Sequence, residues 1–324
     1  MKLVPTLAAI AASVAQTCGI ATAQDTYPSK PVRMIIPFAP GGPADVIARL
    51  VAQKLSEDLG KQFYVENHAG AGGNTGAGLA ARAPADGSSL LVTSQALVIN
   101  ASLYRSLPYD TFRDFLAVTR IATTPNVLVV NPSVPARTVK ELVDLMKKEP
   151  DKYHSYAQPG IGTPSHLSGE LFKLSQKLNL TAIPFGGGGP MVQSIVAGHT
   201  PVAFSSMPPA APLIQAGKMR ALAITAERRL DNLPDVPTMA EAGYPGQLGE
   251  TPIGILVPAG TPQAVVDLLH GKVVQIVALP DIKQKLGAIG FSPIGDTPAQ
   301  FTAFLRSEHD KWAKVINEAG IKLP

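Results

Sequence analysis

Residues 36–43 read Ile-Pro-Phe-Ala-Pro-Gly-Gly-Pro, and residues 183–190 read Ile-Pro-Phe-Gly-Gly-Gly-Gly-Pro. Both copies follow an apolar run that favours a β-strand, and both lead into a segment that favours an α-helix. A glycine loop at the start of a helix leaves backbone N–H groups free to bind an anion. The repetition therefore predicts two related halves, and one small anion would be held from both sides if the halves face each other.

The first residues are predicted to be a secretory signal peptide. Lys2 gives a positive start, residues 3–20 are mostly small and apolar, and Ala23 ends a small-x-small cleavage pattern, so that Gln24 begins the mature chain. An uncleaved anchor helix is the alternative, although the segment is short and weakly apolar for a membrane span. Cys18 is the only cysteine, so the mature chain has no disulfide, which is compatible with export to a bacterial periplasm.

The composition bounds the class of protein. The chain without its signal peptide has about 300 residues, a length typical of two domains. Charged residues make up 16% of the whole chain, and its net charge of +4 becomes +3 without Lys2. No cluster of Lys and Arg stands out, so nucleic acid is not predicted as a partner, whereas an anionic ligand is compatible with the mildly basic charge. No later apolar run is long enough to span a membrane.

Strands and helices alternate along the chain. This pattern predicts an α/β fold in which each domain is a mostly parallel sheet flanked by helices. Strands are predicted at 32–38, 63–66, 89–93, 126–130, 154–157, 181–185, 202–205, 221–225 and 253–257, and helices at 44–59, 138–148, 164–178 and along the tail to about 319.

The strand and helix pattern restarts near residue 126, and the segment 231–249 is rich in Pro and Gly, as connections often are. We place the C-terminal part back on the first domain, because two domains joined by more than one segment suit hinge closure around a ligand. The predicted organisation is a signal peptide at 1–23, a first domain at 24–125 plus 226–324, and a second domain at 126–225.

The glycine loops do not match nucleotide-binding motifs. Neither loop supplies G-x-G-x-x-G with a matching helix, the run at 70–76 misses it by one residue, and no Gly-Lys pair is followed by Ser or Thr. Tight packing of a helix against a sheet is the structural alternative for either loop alone, but the repetition favours ligand contact. No cofactor is predicted.

Two polar segments accompany the loops. Asp45 and Arg49 are four residues apart on the first helix and can form an ion pair. This structural role explains Asp45 at least as well as direct contact with the ligand does. The strand-to-helix turn at 155–166 carries Gln158, Thr163 and Ser165, which are able to donate hydrogen bonds to a carboxylate. Capping of the following helix is an equal alternative for Thr163, and a packing role is the more frequent one for a lone histidine such as His166.

No catalytic or metal site is predicted. Ser165 and His166 are adjacent, but neighbours on a helix point in different directions. The chain has no G-x-S-x-G elbow, and its histidines show neither H-E-x-x-H nor another clustered ligand spacing. The sequence therefore does not exclude an enzyme, but it contains no group of residues that indicates one.

The order and spacing of several short motifs resemble the substrate-binding proteins of tripartite tricarboxylate transporters, the Bug family. The resemblance covers essentially the whole mature chain. The motifs are Tyr-Pro-Ser-Lys-Pro at 27–31, Pro-Gly-Gly-Pro-Ala-Asp at 40–45, Leu-Pro-Tyr-Asp at 107–110, Asn-Val-Leu-Val-Val-Asn-Pro at 126–132, His-Leu-Ser-Gly-Glu-Leu-Phe at 166–172, Gly-Lys-Met-Arg-Ala-Leu-Ala at 217–223 and Glu-Ala-Gly-Tyr-Pro-Gly at 241–246.

The resemblance implies a two-domain Venus-flytrap receptor, expected to be a monomer, that closes on a small carboxylate in its interdomain cleft. Its partners would be the large and small membrane subunits of the transporter. Backbone amides and ordered waters hold one carboxylate in the family, between the loops that correspond to residues 38–45 and 185–190. The ligand-binding residues so predicted are Phe38, Ala39, Gly41, Gly42, Ala44, Asp45, Ser94, Gln158, Thr163, Ser165, His166, Phe185, Gly187, Gly188, Gly189, Ser205 and Ser206.

The second loop departs from a common family form. Where the family often carries Tyr-Lys-Gly-Gly-Gly, residues 184–188 read Pro-Phe-Gly-Gly-Gly. The loss of a hydroxyl and a positive charge suggests a more apolar pocket, and hence an aromatic or other dicarboxylate rather than citrate. A periplasmic enzyme acting on a carboxylate, and a sensor that feeds a signalling partner, are the alternative functions.

Overall fold

The computed structural model describes residues 27–247 and 249–319. The predicted signal peptide and its cleavage site lie outside these residues. Among the helices described, none combines the length and the apolar character that crossing a membrane requires.

The strands form one continuous mixed sheet in the order β2-β1-β3-β9-β4-β7-β5-β6, and β8 and β10 also pair with β4. Their bounds are β1 Val32–Ile36, β2 Phe63–Asn67, β3 Ser89–Ser94, β4 Phe115–Val130, β5 Ser155–Gln158, β6 Thr181–Pro184, β7 Val202–Ser206, β8 Arg220–Ile224, β9 Glu250–Pro258 and β10 Ser292–Pro293.

The α/β fold is as predicted, but the expectation of mostly parallel sheets is wrong. β1 runs parallel to β2 and β3, and β5 runs parallel to β6 and β7. The pairs that join these two sets, from β3 through β9 and β4 to β7, are antiparallel. The reason is that β4 and β9 run directly between the halves, without the crossover helices that parallel neighbours require.

Strand β4 links the two halves. It pairs with β9 as far as Pro125, and from Asn126 onward it pairs with β7. We call the part of the sheet up to Pro125, with its helices, the first lobe, and the part from Asn126, with its helices, the second lobe. The sequence predicted this strand only from residue 126, because bulges near Thr119 and Ala122 break the alternation of side chains in its first half.

Helices cover both faces of each lobe. Their bounds are α1 Pro43–Leu59, α2 Asn74–Ala81, α3 Ala96–Leu103, α4 Val139–Lys148, α5 Pro164–Ser175, α6 Gly188–Val196, α7 Met207–Gln215, α8 Gln263–Ala278, α9 Pro280–Ala288 and α10 Pro298–Ala319. Helices α1 and α8 pack on one face of the first lobe through Ile47, Val51 and Leu269. Phe301 and Leu305 of α10 pack on its other face, so the C-terminal segment returns to this lobe.

The second lobe has its own two apolar layers. Helices α4 and α5 bury Leu142 and Phe172 on one face of its strands. On the other face, α6 and α7 bury Ile195 and Met207. Helix α7 was not predicted from the sequence, because Pro208, Pro209 and Pro212 are residues that disfavour a helix. The first two prolines occupy the first turn, where proline is tolerated because the N–H group it lacks would have no partner within the helix.

Candidate functional site

The two glycine loops meet at the junction of the lobes. The Ala39 N–H donates a hydrogen bond of 2.8 Å to the Gly186 carbonyl oxygen, which joins the first lobe to the second directly. A Cβ at Gly187 would lie 2.9 Å from the Ala39 nitrogen, and one at Gly189 would overlap the Pro40 carbonyl oxygen. The absence of side chains at these positions is therefore what allows the loops to touch.

Asp45 holds the first loop in shape. Its carboxylate accepts hydrogen bonds from the Gly41 N–H at 2.9 Å, from the Arg49 guanidinium at 2.8 Å and from Asn67 Nδ2 at 3.0 Å. Burial favours a higher pKa for this carboxyl group, but the hydrogen bonds and the charge of Arg49 outweigh burial, and the pKa of Asp45 lies below its usual value. The predicted pairing of Asp45 with Arg49 is confirmed.

Behind the touching loops lies a small cavity, the inner cavity, with a volume of about 30 Å³. That volume accommodates about two water molecules. Its walls come from both lobes and combine apolar rings with hydroxyl groups and one carboxylate. The lining residues are Phe38, Gly42, Pro43, Ala44, Asp45, Ser94, Pro159, Thr163, Pro164, Ser165, Gly187, Gly188, Ser206, Thr251 and Ile253.

Four helices begin at the inner cavity. Gly42, Gly187 and Ser206 are the N-cap residues of α1, α6 and α7, and none of the three supplies a side-chain capping hydrogen bond. The fourth helix, α5, is capped by Thr163, whose hydroxyl accepts the His166 N–H at 3.3 Å, as the capping alternative predicted. Free N–H groups and the positive ends of helix dipoles therefore converge on one small volume, an arrangement that favours an anion.

The hydroxyl groups of the lining differ in their availability. Ser165 donates to Asn126 Oδ1 at 2.8 Å, and Thr163 donates to the Gly160 carbonyl oxygen at 2.7 Å. Ser94 accepts the Ala96 N–H at 3.2 Å and keeps its own hydrogen. Within the part of the chain that the structure describes, Ser94 and Ser206 therefore have hydroxyl hydrogens that no protein group accepts.

Ten of the predicted ligand-binding residues line the inner cavity. They are Phe38, Gly42, Ala44, Asp45, Ser94, Thr163, Ser165, Gly187, Gly188 and Ser206. The sequence analysis missed Pro43, Pro159, Pro164, Thr251 and Ile253. The three prolines adjoin predicted residues and share their loops, whereas Thr251 and Ile253 lie on β9 and carry no local signal.

The other seven predicted residues do not line this cavity. Ala39, Gly41 and Gly189 lie where the two loops touch, so these residues contact the opposite lobe. Ser205 is buried in β7, and its hydroxyl donates to the Ser206 carbonyl oxygen at 3.0 Å. Gln158 is fully buried at the end of β5, with its Oε1 accepting the Gly160 N–H at 2.6 Å.

His166 and Phe185 face other surroundings. His166 Nδ1 accepts the Gly162 N–H at 3.3 Å, so its ring supports the turn before α5 instead of facing the cavity. Burial lowers the pKa of His166, while the charge of Glu170 opposes that shift. Phe185 lines a second, larger space, the outer chamber.

The outer chamber has a volume of about 260 Å³ and also lies between the lobes. It shares Phe38 and Pro159 with the inner cavity, so these two residues form the partition between the two spaces. Its remaining lining consists of Gly70, Ala71, Gly72, Gly73, Tyr104, Gly160, Ile161, Pro184, Phe185 and Gly186.

Comparisons with known proteins point to one family. The family model described as tripartite tricarboxylate transporter family receptor matches residues 47–321. Protein BugT of Bordetella pertussis is 36% identical over 327 residues, covering 100% of this chain and 100% of BugT.

Two solved structures are similar over nearly the whole chain. The periplasmic binding protein BugD has a TM-score of 0.88 at 32% identity, covering 91% of this chain and 99% of BugD. R. palustris Rpa4515, solved with adipate, has a TM-score of 0.88 at 34% identity, covering 91% of this chain and 99% of that chain.

Two lobes that share a long strand and enclose a cavity at their junction define the fold of a periplasmic binding protein, as in BugD. Within that class, the chain belongs to the tripartite tricarboxylate transporter receptor family, which includes the Bug proteins. The resemblance stated from the sequence is thus confirmed. BugD is a binding protein, which is consistent with the receptor, as opposed to an enzyme, that the resemblance implied.

Proposed function

We propose that this receptor captures a small carboxylate between its lobes in the periplasm and delivers it to the membrane subunits of a tripartite tricarboxylate transporter. The observation that carries the proposal is the convergence of the first turns of α1, α5, α6 and α7 on one cavity. Among the described residues, no Lys, Arg or His lines that cavity, so neutral donors bind the carboxylate.

The contacts of the cavity assign roles to the residues. The free hydroxyls of Ser94 and Ser206 and the first-turn N–H groups of the residues other than proline donate directly to the carboxylate, which fills the space that about two waters would occupy. Asp45 is saturated by its own donors and holds the first loop in place, without contacting the anion. The apolar lining and the adipate complex of Rpa4515 support an aromatic or other dicarboxylate over citrate.

The proposal also includes a domain organisation and a cellular location. We place the start of the second domain at 126, where β4 changes its partners after Pro125. We place its end near 247 and not at 225 as predicted from the sequence, because Met239 and Tyr244 pack with the core of the second lobe, so the first domain comprises 24–125 and 250–324. The receptor works as an exported monomer, with its signal peptide removed after Ala23.

Calorimetry on the purified mature chain tests the proposal. Adipate and benzene dicarboxylates are expected to bind, each at one site per chain, and to be recovered chemically unchanged after incubation. Tight binding of citrate with no response to the other compounds would contradict the ligand class. Conversion of a bound carboxylate, abolished by replacing Ser165 or His166, would instead identify an enzyme.

A further inference from the structure

The inner cavity is too small for the ligands of its own site. With the loops touching it has a volume of about 30 Å³, whereas the outer chamber on the other side of Phe38 has about 260 Å³. A carboxylate-sized group fits the first space, and the carbon chain or ring of a dicarboxylate does not. The rest of an elongated ligand must therefore either hold the loops apart or pass Phe38 into the outer chamber.

Phe38 is placed to form one wall of such a passage. It lines both spaces, and its ring rests on the backbone of Gly73, where an added Cβ would lie 3.1 Å from Phe38 Cζ. The glycine at 73 gives the ring room to lie against the first lobe. Because Pro159 is the other shared residue and belongs to the second lobe, a ligand between these two residues contacts both lobes.

The outer chamber offers an apolar surface with one available side-chain donor. Within the described residues, its lining contains no charged side chain, and Phe185, Pro184 and Ile161 supply apolar area. Tyr104 contributes the only side-chain hydroxyl of the lining, and no protein group accepts its hydrogen among the hydrogen bonds of the described residues. Burial raises the pKa of Tyr104, so the hydroxyl stays protonated and able to donate.

Gly72 keeps that hydroxyl accessible. An added Cβ at this position would lie 2.8 Å from the Tyr104 hydroxyl oxygen and would overlap the Ile161 carbonyl oxygen of the second lobe. The glycine thus allows close approach of the lobes at this side of the chamber and leaves the space in front of Tyr104 empty.

We propose that the outer chamber is a second subsite, which receives the distal part of an elongated carboxylate and donates the Tyr104 hydroxyl to an acceptor at its far end. The inference rests on the proposed function, since the near carboxylate occupies the inner cavity. The ligand class narrows to linear or aromatic compounds with a carboxylate at one end and an oxygen acceptor at the other.

A comparison of adipate with hexanoate tests the role of Tyr104. The two compounds have chains of equal length, but only adipate has a distal acceptor. We expect the wild-type protein to bind adipate about tenfold more tightly than hexanoate, the size of one hydrogen bond to a charged group. Tyr104→Phe should reduce that ratio to one or below, because the distal carboxylate then lacks its side-chain donor in an apolar space, and should leave hexanoate binding unchanged. Tyr64→Phe on β2, which lines neither space, serves as the matched control and should keep the ratio.

A steric variant tests the chamber independently of the hydroxyl. Gly186 lines the chamber, and an added Cβ there meets only Ala69 Cβ at 3.9 Å, so a side chain can be introduced there without a clash at its Cβ. Gly186→Leu should weaken suberate binding about tenfold or more and succinate binding less than about twofold, because only the longer chain reaches the filled space.

The outcomes separate the two proposals. If none of adipate, hexanoate, succinate, suberate and the benzene dicarboxylates binds, the carboxylate function itself is wrong. If adipate and hexanoate both bind but the ratio survives in Tyr104→Phe, or if Gly186→Leu affects succinate and suberate equally, the outer subsite is wrong while the receptor function stands. Circular dichroism of each variant confirms that the fold is intact.

Discussion

Ser165 donates its hydroxyl hydrogen to Asn126 Oδ1 across 2.8 Å, at the residue where β4 changes its partner from β9 to β7. The same oxygen accepts the Thr251 hydroxyl at 3.2 Å, and Asn126 Nδ2 donates to Ser168 Oγ at 3.0 Å. Thr251 belongs to the first lobe, and Ser165 and Ser168 belong to the second. One fully buried amide therefore joins the wall of the inner cavity to the strand that connects the lobes.

Replacing that amide should destabilise the protein. Asn126→Ala leaves three buried hydroxyl groups without their partner, and we expect the free energy of unfolding to fall by about 3 kcal/mol. Ser168→Ala removes only one of these hydrogen bonds and is expected to cost about 1 kcal/mol. Urea denaturation measures both values. Equal losses in the two variants would mean that the Asn126 network adds nothing beyond a single hydrogen bond.

The contact between the glycine loops is expected to control closure. Gly187→Ala or Gly189→Ala places a methyl group against the backbone of Ala39 or Pro40, so the loops cannot touch. Because Gly189 lies in the first turn of α6, alanine there does not harm the helix itself. We expect adipate affinity to fall about tenfold as the closed population decreases. Small-angle scattering should show that the ligand no longer reduces the radius of gyration.

Gly186→Ala is the matched control for closure. Its methyl group would meet only Ala69 Cβ at 3.9 Å, and the carbonyl oxygen that accepts the Ala39 N–H is unchanged. This variant should close on the ligand as the wild-type protein does. Normal closure in the alanine variants at 187 and 189 would show that the loops adapt, and would remove the argument for glycine at these positions.

The features that the sequence predicted well are those with local causes. Gly41 has a φ of 84°, a conformation that favours glycine, and Thr163-Pro164 begins α5 as the cap and first turn expected of that pair. The two glycine loops were therefore recognisable as strand-to-helix turns from a few neighbouring residues. The repetition also predicted two related halves that could hold one anion between them if they face each other, but the direct contact between the two loops was not predicted.

The features that were missed depend on distant partners. Thr251 and Ile253 reach the inner cavity because β9 pairs antiparallel with β4, with Thr251 opposite Thr124 and Ile253 opposite Ala122. Nothing near residue 251 indicates that register, which is set by strands more than a hundred residues apart. The rotation of His166 toward Gly162 was equally invisible, because ring orientation follows from packing rather than from spacing.

Asp45 should make stability depend on pH in the acidic range. Its pKa in the folded protein lies below the usual value of 3.8, so its contribution is complete above that value and is lost as the pH falls through the folded pKa. Asp45→Asn is expected to lower the free energy of unfolding by about 1–2 kcal/mol near neutral pH. Chemical denaturation near pH 3 should give a smaller difference between the two proteins.

An exposed carboxylate provides the control for Asp45. Asp144 pairs with Lys140 on the surface of α4, and Asp144→Asn should change stability by less than about 0.5 kcal/mol at either pH. A similar effect of the two substitutions would show that the hydrogen bonds to Gly41 and Asn67 add no stability to the first loop.

His166 should make stability depend on pH near neutrality. Burial lowers its pKa in the folded protein below the unfolded value of 6.5, with Glu170 opposing and Lys173 assisting the shift. The unfolded chain then binds more protons, so stability is complete above about pH 6.5 and declines as the pH falls toward the folded pKa. His166→Gln should flatten this decline between about pH 7.5 and 5.5, while His199→Gln, a change at an exposed histidine, should leave it as in the wild-type protein. Thermal unfolding across that range measures the three curves, and parallel curves for wild type and His166→Gln would mean that the proton is taken up elsewhere.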